Sequence, residues 1–114
     1  MNTRLRDLAR DPAVIDRLVT EATDDWLGFF VVYGVLRKAS GATMGLAEFA
    51  DAAIPVLRVL MTEHGVKPGD LDGKPPVFTP WPTSVEDSLA RIEREIHALD
   101  HPPLSDEICW FSAE

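Results

Sequence analysis

Apolar residues first recur at helical spacing near the start of the chain. Between residues 12 and 22, the positions three or four apart are Val14, Ile15, Leu18, Val19 and Ala22. This spacing places side chains on one side of an α-helix. Asp11 and Pro12 precede the pattern, and Asp at the cap with Pro at the first helical position is typical of a helix N-terminus. The pattern predicts a helix over residues 12–22 with one buried stripe.

The longest apolar run covers residues 26–36 and contains no charged side chain. Asp24 and Asp25 precede the run, and Arg37 and Lys38 follow it, so the charges match the two ends of a helix dipole. Its aromatic and β-branched residues would also suit a buried strand. The end signals favour a helix. Because this helix has no polar side, we expect it to be central and covered on every side.

Two further helices are predicted later in the chain. Apolar positions at three- and four-residue spacing run over residues 46–64, where Pro55 interrupts them. Because Pro removes a backbone donor and clashes with the preceding turn, we expect a kink there or two short helices. A helix over residues 84–99 has one apolar stripe, and Thr83 with Glu86 matches a capping box at its start.

The segment between these helices, residues 66–82, contains seven Pro and Gly residues. Such a density cannot continue a helix and predicts a long, partly stiff surface loop. We expect Val77, Phe78 and Trp81 to pin this loop to the core. The apolar tail at residues 108–111 is predicted either to pair as a strand or to tuck against the core.

These elements together predict a mainly α-helical protein. A chain of 114 residues with 46% hydrophobic and 26% charged residues has the size and composition of one globular domain. We expect a single compact domain over residues 1–114, with four to five helices, a central buried helix, a Pro/Gly-rich loop and a short extended C-terminal tail.

The C-terminal half resembles a family of small bacterial proteins of unknown function that end in a Pro, Gly-Asp, Ile, Trp signature. The matching residues are Gly65-Val66, Gly69-Asp70-Leu71, Phe78 to Trp81, Ala90-Arg91-Ile92 and the ending from Pro102 to Trp110. The resemblance covers roughly residues 57–111. Ser105 stands where that family has Gly, and Glu107 is inserted before Ile108. The resemblance implies that loop and tail belong to one recurring domain, and it implies no activity or site.

Negative charge is concentrated in the last part of the chain. The net charge is -8, and residues 84–114 hold eight carboxylates against two arginines, a net charge of -6. Such a surface repels a phosphate backbone and attracts a basic protein, although it is also what a solvated, soluble face looks like. The single cysteine, the absence of a leader pattern at the start, and an apolar run too short to cross a bilayer predict a cytoplasmic protein.

Residues with catalytic or metal-binding chemistry form only weak patterns. His97 and His101 are four apart and could supply zinc ligands together with Cys109 or Glu93. A structural zinc site needs four well-placed ligands, however, and the helix ends near His101. Asp70 and Asp72 begin an acidic loop that lacks the later carboxylate of a calcium site. No arrangement marks Cys109 as a nucleophile. We therefore predict no metal, no cofactor and no enzymatic activity.

The leading hypothesis is an acidic, non-enzymatic interaction domain that binds a basic protein, as an immunity protein or an adaptor would. The expected binding residues are Asp70, Asp72, Trp81, Glu93, Glu95, Asp106 and Glu107. For Trp81, a role in the core is the other interpretation and the one that the pattern favours.

Two alternatives remain open. One is a winged-helix-like DNA-binding regulator with its helix-turn-helix at residues 46–64 and its wing at 66–82, which requires clustered cations from Arg37, Lys38, Arg58, Lys67 and Lys74. The other is a small-molecule site under the 66–82 loop. A homo-oligomer is also possible, because a second subunit could cover an apolar helix.

Overall fold

A computed structural model of the protein describes residues 8–40, 45–103 and 107–113. These residues form a short 3-10 turn at Leu8–Arg10, four α-helices and four short strands. The helices are α1 (Pro12–Asp24), α2 (Phe29–Ser40), α3 (Leu46–Glu63) and α4 (Val85–Ala98), and the strands are β1 (Leu27–Gly28), β2 (Lys67–Asp72), β3 (Val77–Pro80) and β4 (Trp110–Ser112). The prediction of a mainly α-helical, compact chain is confirmed. The small antiparallel sheet was not predicted.

Helix α1 begins where the sequence indicates. The Asp11 side chain accepts a hydrogen bond from the N–H of Ala13 at 2.9 Å, and Pro12 occupies the first turn. The helix continues to Asp24, two residues beyond the predicted end. We had expected the carboxylates of Asp24 and Asp25 to lie at the N-terminus of the next helix, but they lie at the end of α1. Asp25 accepts a hydrogen bond from the N–H of Trp26 at 2.8 Å.

The apolar run at residues 26–36 is divided between two elements. Leu27 and Gly28 form the short strand β1, and α2 then begins at Phe29. Helix was the correct choice for most of the run, but the prediction of a helix covered on every side is wrong. Phe29, Val32 and Leu36 are buried, whereas the opposite side of α2 is open to solvent.

The central helix of the fold is α3. It contacts α1, α2, α4 and the 3-10 turn, and the side chains that it buries are Phe49, Ala50, Ala52, Ala53, Val56, Leu57 and Leu60. The helix is continuous from Leu46 to Glu63 with Pro55 inside it, so the alternative of two short helices is wrong. At its start, the N–H of Gly45 donates to the Glu48 carboxylate at 3.4 Å.

The predicted loop at residues 66–82 is a β-hairpin. Strands β2 and β3 pair antiparallel, and the turn between them contains Gly73 at a positive φ of 94°. Gly69 leaves no room for a side chain, because a Cβ there would collide with the carbonyl oxygen of Thr79. We missed the hairpin because Pro and Gly hide the alternation that identifies strands. Val77 was expected to pin this segment and is instead 62% exposed.

The C-terminal tail completes the sheet, whose strand order is β1-β4-β2-β3. Trp110 pairs with Gly28 on one side and Gly69 on the other. Its neighbour Phe111 is fully buried and stacks on Phe29 with the ring centroids 6.3 Å apart. Of the two alternatives left open for the tail, the structure has the paired strand.

Helix α4 packs on α3 and begins one residue later than expected. Ser84 is the cap, and its hydroxyl accepts from the N–H of Asp87 at 3.1 Å. The predicted capping box is wrong, because the Thr83 hydroxyl lies 2.7 Å from that of Ser88 and Glu86 forms an ion pair with Arg58.

Candidate interaction site

The β2–β3 hairpin carries the first two predicted binding residues on one face. Asp70 and Asp72 are two apart along β2 and therefore point to the same side of the sheet. Their partners across the ladder are Thr79 and Val77. All four are exposed. Because the hairpin extends past the core, this end of the face is open to a partner.

Trp81, directly after the hairpin, joins it to α4. Its backbone N–H donates to the carbonyl of Pro68 at 2.9 Å, and its indole N–H donates to Asp70 at 3.3 Å. The guanidinium of Arg91 lies 3.7 Å from the centre of the indole ring. Trp81 is only 8% exposed. The indole therefore packs beneath Asp70 and Arg91 and exposes little surface area to a partner.

Arg91 extends this arrangement along α4. Its Nε donates to the Glu95 carboxylate at 2.9 Å, so Arg91 links Trp81 to Glu95. We call the exposed hairpin residues together with these three the hairpin surface: Asp70, Asp72, Val77, Thr79, Trp81, Arg91 and Glu95. Three carboxylates and one guanidinium give this surface a net charge of -2.

Glu93 does not belong to the hairpin surface, although the sequence places it beside Glu95. Two residues along a helix are separated by about 200°, so the two carboxylates lie on opposite flanks of α4. Glu93 therefore lies on the flank of Glu86, which pairs with Arg58 of α3. The expected single acidic face of α4 is divided in two.

Glu107, which was predicted as a binding residue, forms a contact within the chain. Its carboxylate lies 2.9 Å from Nε2 of His101, while Nδ1 of the same ring lies 2.7 Å from Asp100. The hydrogen bond to Asp100, and after it the one to Glu107, raises the pKa of His101. The hydrogen bond to His101 lowers the pKa of Asp100. Glu107 thus ties the tail to the end of α4. Asp106, also predicted as a binding residue, lies outside the described residues.

Cys109 lies behind the hairpin surface and is buried. Burial raises the pKa of its thiol well above the ordinary value, with further contributions from the Glu95 and Asp70 carboxylates. The thiol therefore stays neutral, and a neutral thiol is a poor nucleophile.

Of the seven predicted residues, Asp70, Asp72, Trp81 and Glu95 are brought together. Arg91, which contacts both Trp81 and Glu95, was not among the predicted residues. The signal that could have identified it is its spacing of four residues from Glu95, which is the spacing of helical ion pairs.

A second feature, which the sequence did not predict, is an open groove of about 640 Å³ between α1 and α2. We call it the α2 groove; its lining residues are Asp11, Ala13, Val14, Arg17, Phe30, Val31, Gly34, Val35, Lys38 and Ala39. Most of them are apolar. This groove is the uncovered side of the helix that was expected to be fully buried.

The two alternative functions each require particular elements, which can be compared with the observed fold. The helix-turn-helix of a winged-helix protein is not formed at residues 46–64, since α3 is a single helix. Lys67 is the first residue of β2, and Lys74 lies in the turn beyond Asp72, the last residue of β2, so the length of the strand, about 17 Å, lies between them. The segment expected to cover a small-molecule site is the hairpin itself, and the groove of about 640 Å³ lies elsewhere, between α1 and α2.

The described part of the chain has neither a cluster of metal ligands nor a helix suited to a membrane. Within residues 8–40, 45–103 and 107–113, no three His, Cys, Asp or Glu side chains are grouped so that they could hold a metal ion. None of the described helices combines the length and the apolar content needed to span a membrane.

Neither a protein-family model, a curated protein nor a solved structure matches this chain. The resemblance to small bacterial proteins of unknown function therefore stays a prediction.

Proposed function

We propose that this protein is a non-enzymatic interaction domain that binds a basic segment of another protein through the hairpin surface. The observation that carries the proposal is the pair Asp70 and Asp72, which point to the same side of a hairpin that extends beyond the core. Carboxylates in such a position attract cationic side chains and orient them during encounter.

The surface offers more than charge. Val77 lies opposite Asp72 and is 62% exposed, so it provides an apolar contact beside the carboxylates. Interfaces commonly combine an apolar centre with a polar rim. A lysine or arginine of the partner can therefore place its aliphatic stem on Val77 and its charge against Asp72.

The support for the surface is already ordered in the free protein. The indole of Trp81 is held between the Asp70 carboxylate and the Arg91 guanidinium, and Arg91 is held by Glu95. Side chains that are fixed before binding lose little rotamer entropy on association. This arrangement favours recognition, and the neutral thiol of Cys109 behind it is unsuited to catalysis.

The proposal is tested with a fluorescein-labelled, lysine-rich peptide as the probe, by fluorescence anisotropy at low salt and by amide chemical shifts. We expect shifts on the hairpin and on the exposed side of α4. The double variant Asp70→Asn/Asp72→Asn keeps an acceptor for Trp81 and should weaken binding about tenfold, since each exposed charge pair is worth up to about 1 kcal/mol.

The matched control removes two exposed carboxylates from other places. Asp16→Asn/Glu93→Gln changes the total charge by the same amount and should leave the affinity within about twofold of the wild type. Equal loss in both double variants would show that the peptide responds only to total charge, and it would refute the hairpin surface as the site.

A further inference from the structure

The outer side of α2 lacks a covering element among the described residues. Phe30 is 37% exposed and forms a T-shaped contact with Trp110, with the ring centroids 6.2 Å apart. The α2 residues in the groove are Phe30, Val31, Gly34, Val35, Lys38 and Ala39. These residues form three adjacent pairs, four residues apart, over about 13 Å of helix. The groove therefore follows the axis of α2. Its shape suits another helix better than a compact small molecule.

Gly34 lies at the middle of this stripe and has no evident purpose within one chain. It is exposed, a Cβ added there would meet no atom within 4 Å, and its φ is not positive. Gly inside a helix costs roughly 0.5–1 kcal/mol relative to Ala. A glycine at the centre of an open apolar stripe is what allows a second helix to approach closely.

The residues on both sides of Gly34 are arranged so that they complement each other. Phe30 lies four residues before the glycine and Lys38 lies four residues after it. If two copies of α2 cross antiparallel at Gly34, each Phe30 faces the other copy's Lys38. A cation over an aromatic ring is attractive. This complementarity is what a two-fold symmetric interface requires.

The charges around the groove also suit a second copy. The ionisable residues that line it are Asp11, Arg17 and Lys38, a net charge of +1 in a chain of net charge -8. Eight of the 19 carboxylates follow residue 83, and among the described residues Asp11 is the carboxylate that lines the groove. Two acidic chains can therefore meet here without bringing many like charges together.

We propose that a second copy of this chain occupies the α2 groove, so that the protein forms an antiparallel two-fold dimer in which α2 crosses α2 at Gly34. This proposal does not depend on the hairpin surface, which belongs to other elements. The two surfaces can act at the same time.

Sedimentation equilibrium over a range from micromolar to millimolar protein tests the oligomeric state. We expect the wild type to dimerise and Gly34→Leu to be monomeric over most of this range, because a leucine prevents the close crossing. Val77→Leu is the matched control, an exposed apolar change on the hairpin that should leave dimerisation unaltered. A wild type that stays monomeric at millimolar concentration overturns the proposal, whatever else the groove binds.

Cysteine pairing tests the antiparallel geometry. We expect a mixture of Phe30→Cys and Lys38→Cys chains to form a disulfide-linked heterodimer about tenfold faster than either variant alone, since only the mixture places two thiols opposite each other. The native Cys109 is buried and does not compete. Linkage of each variant to itself at the same rate as the mixture overturns the antiparallel arrangement.

Discussion

Helices α2 and α3 are both rich in apolar residues, but they occupy different places in the fold. Helix α3 buries seven side chains and contacts helices on several sides, because its alanines let neighbours approach. Helix α2 buries Phe29, Val32, Leu36 and Ser40 and leaves its other side open. The difference shows that apolar content alone does not identify the central helix. Small residues at the points of contact decide which helix can be surrounded.

The largest expected effect compares equivalent truncations on the two helices. Leu57→Ala on α3 removes a fully buried side chain and should lower the free energy of unfolding by about 3 kcal/mol. Phe30→Ala on α2 should cost only about 1 kcal/mol, since its ring is partly exposed. Urea denaturation at low protein concentration, where dimers do not contribute, measures both. Equal losses would contradict the assignment of α3 as the central helix.

A smaller effect distinguishes two glycines around α2. Gly34→Ala should raise the free energy of unfolding of the monomer by about 0.5–1 kcal/mol, because Ala favours helix and the added methyl group meets nothing. Gly28→Ala should lower it, since the Cβ would lie 2.5 Å from the Phe30 ring. Thermal unfolding of dilute protein reports both signs. A destabilised Gly34→Ala monomer would show that the outer side of α2 is already covered within one chain.

The smallest effect concerns charge outside both helices, where His101 lies between Asp100 and Glu107. The pKa of His101 is raised above its unfolded value near 6.5, so the stability from its protonated form is present below that value and is lost as the pH rises through the folded pKa. Unfolding midpoints measured in urea should therefore fall as the pH rises above about 6.5 in the wild type, and this decline should be absent in His101→Gln.

The difference in free energy of unfolding between Leu57→Ala and Phe30→Ala should not change as the pH rises, because neither side chain titrates. A difference that becomes smaller with pH would indicate that ion pairs, rather than packing, make α3 more important to stability than α2.

Local signals in the sequence predicted most helix positions well. Asp11 with Pro12 placed the start of α1 correctly, and α3 was predicted to within one residue of its observed end. At α4, two adjacent hydroxyl residues could each act as the cap, and the choice of Ser84 over Thr83 depends on contacts that spacing alone does not show. An error of one residue at the cap therefore assigns the wrong hydrogen-bond partners to the side chains of the first turn.

Longer-range features were harder to predict. The strands of the hairpin at residues 67–80 are held together by backbone pairing, which the side-chain sequence does not reveal. Their Pro and Gly residues also interrupt the alternation of apolar and polar positions that identifies strands. Trp81 and Asp70 were identified separately, but their hydrogen bond depends on that unseen hairpin. The separation of Glu93 from Glu95, by contrast, follows from helix geometry alone and could have been predicted.

The position of β4 has a consequence for how the chain is made. This strand lies between β1 and β2, yet it is the last of the four strands to be synthesised. During translation, β1 waits for its partner while more than eighty further residues are added, so the nascent chain can assemble its helices well before its sheet closes. Phe111 can therefore insert beside Phe29 only after the segments that form all four described helices have been synthesised.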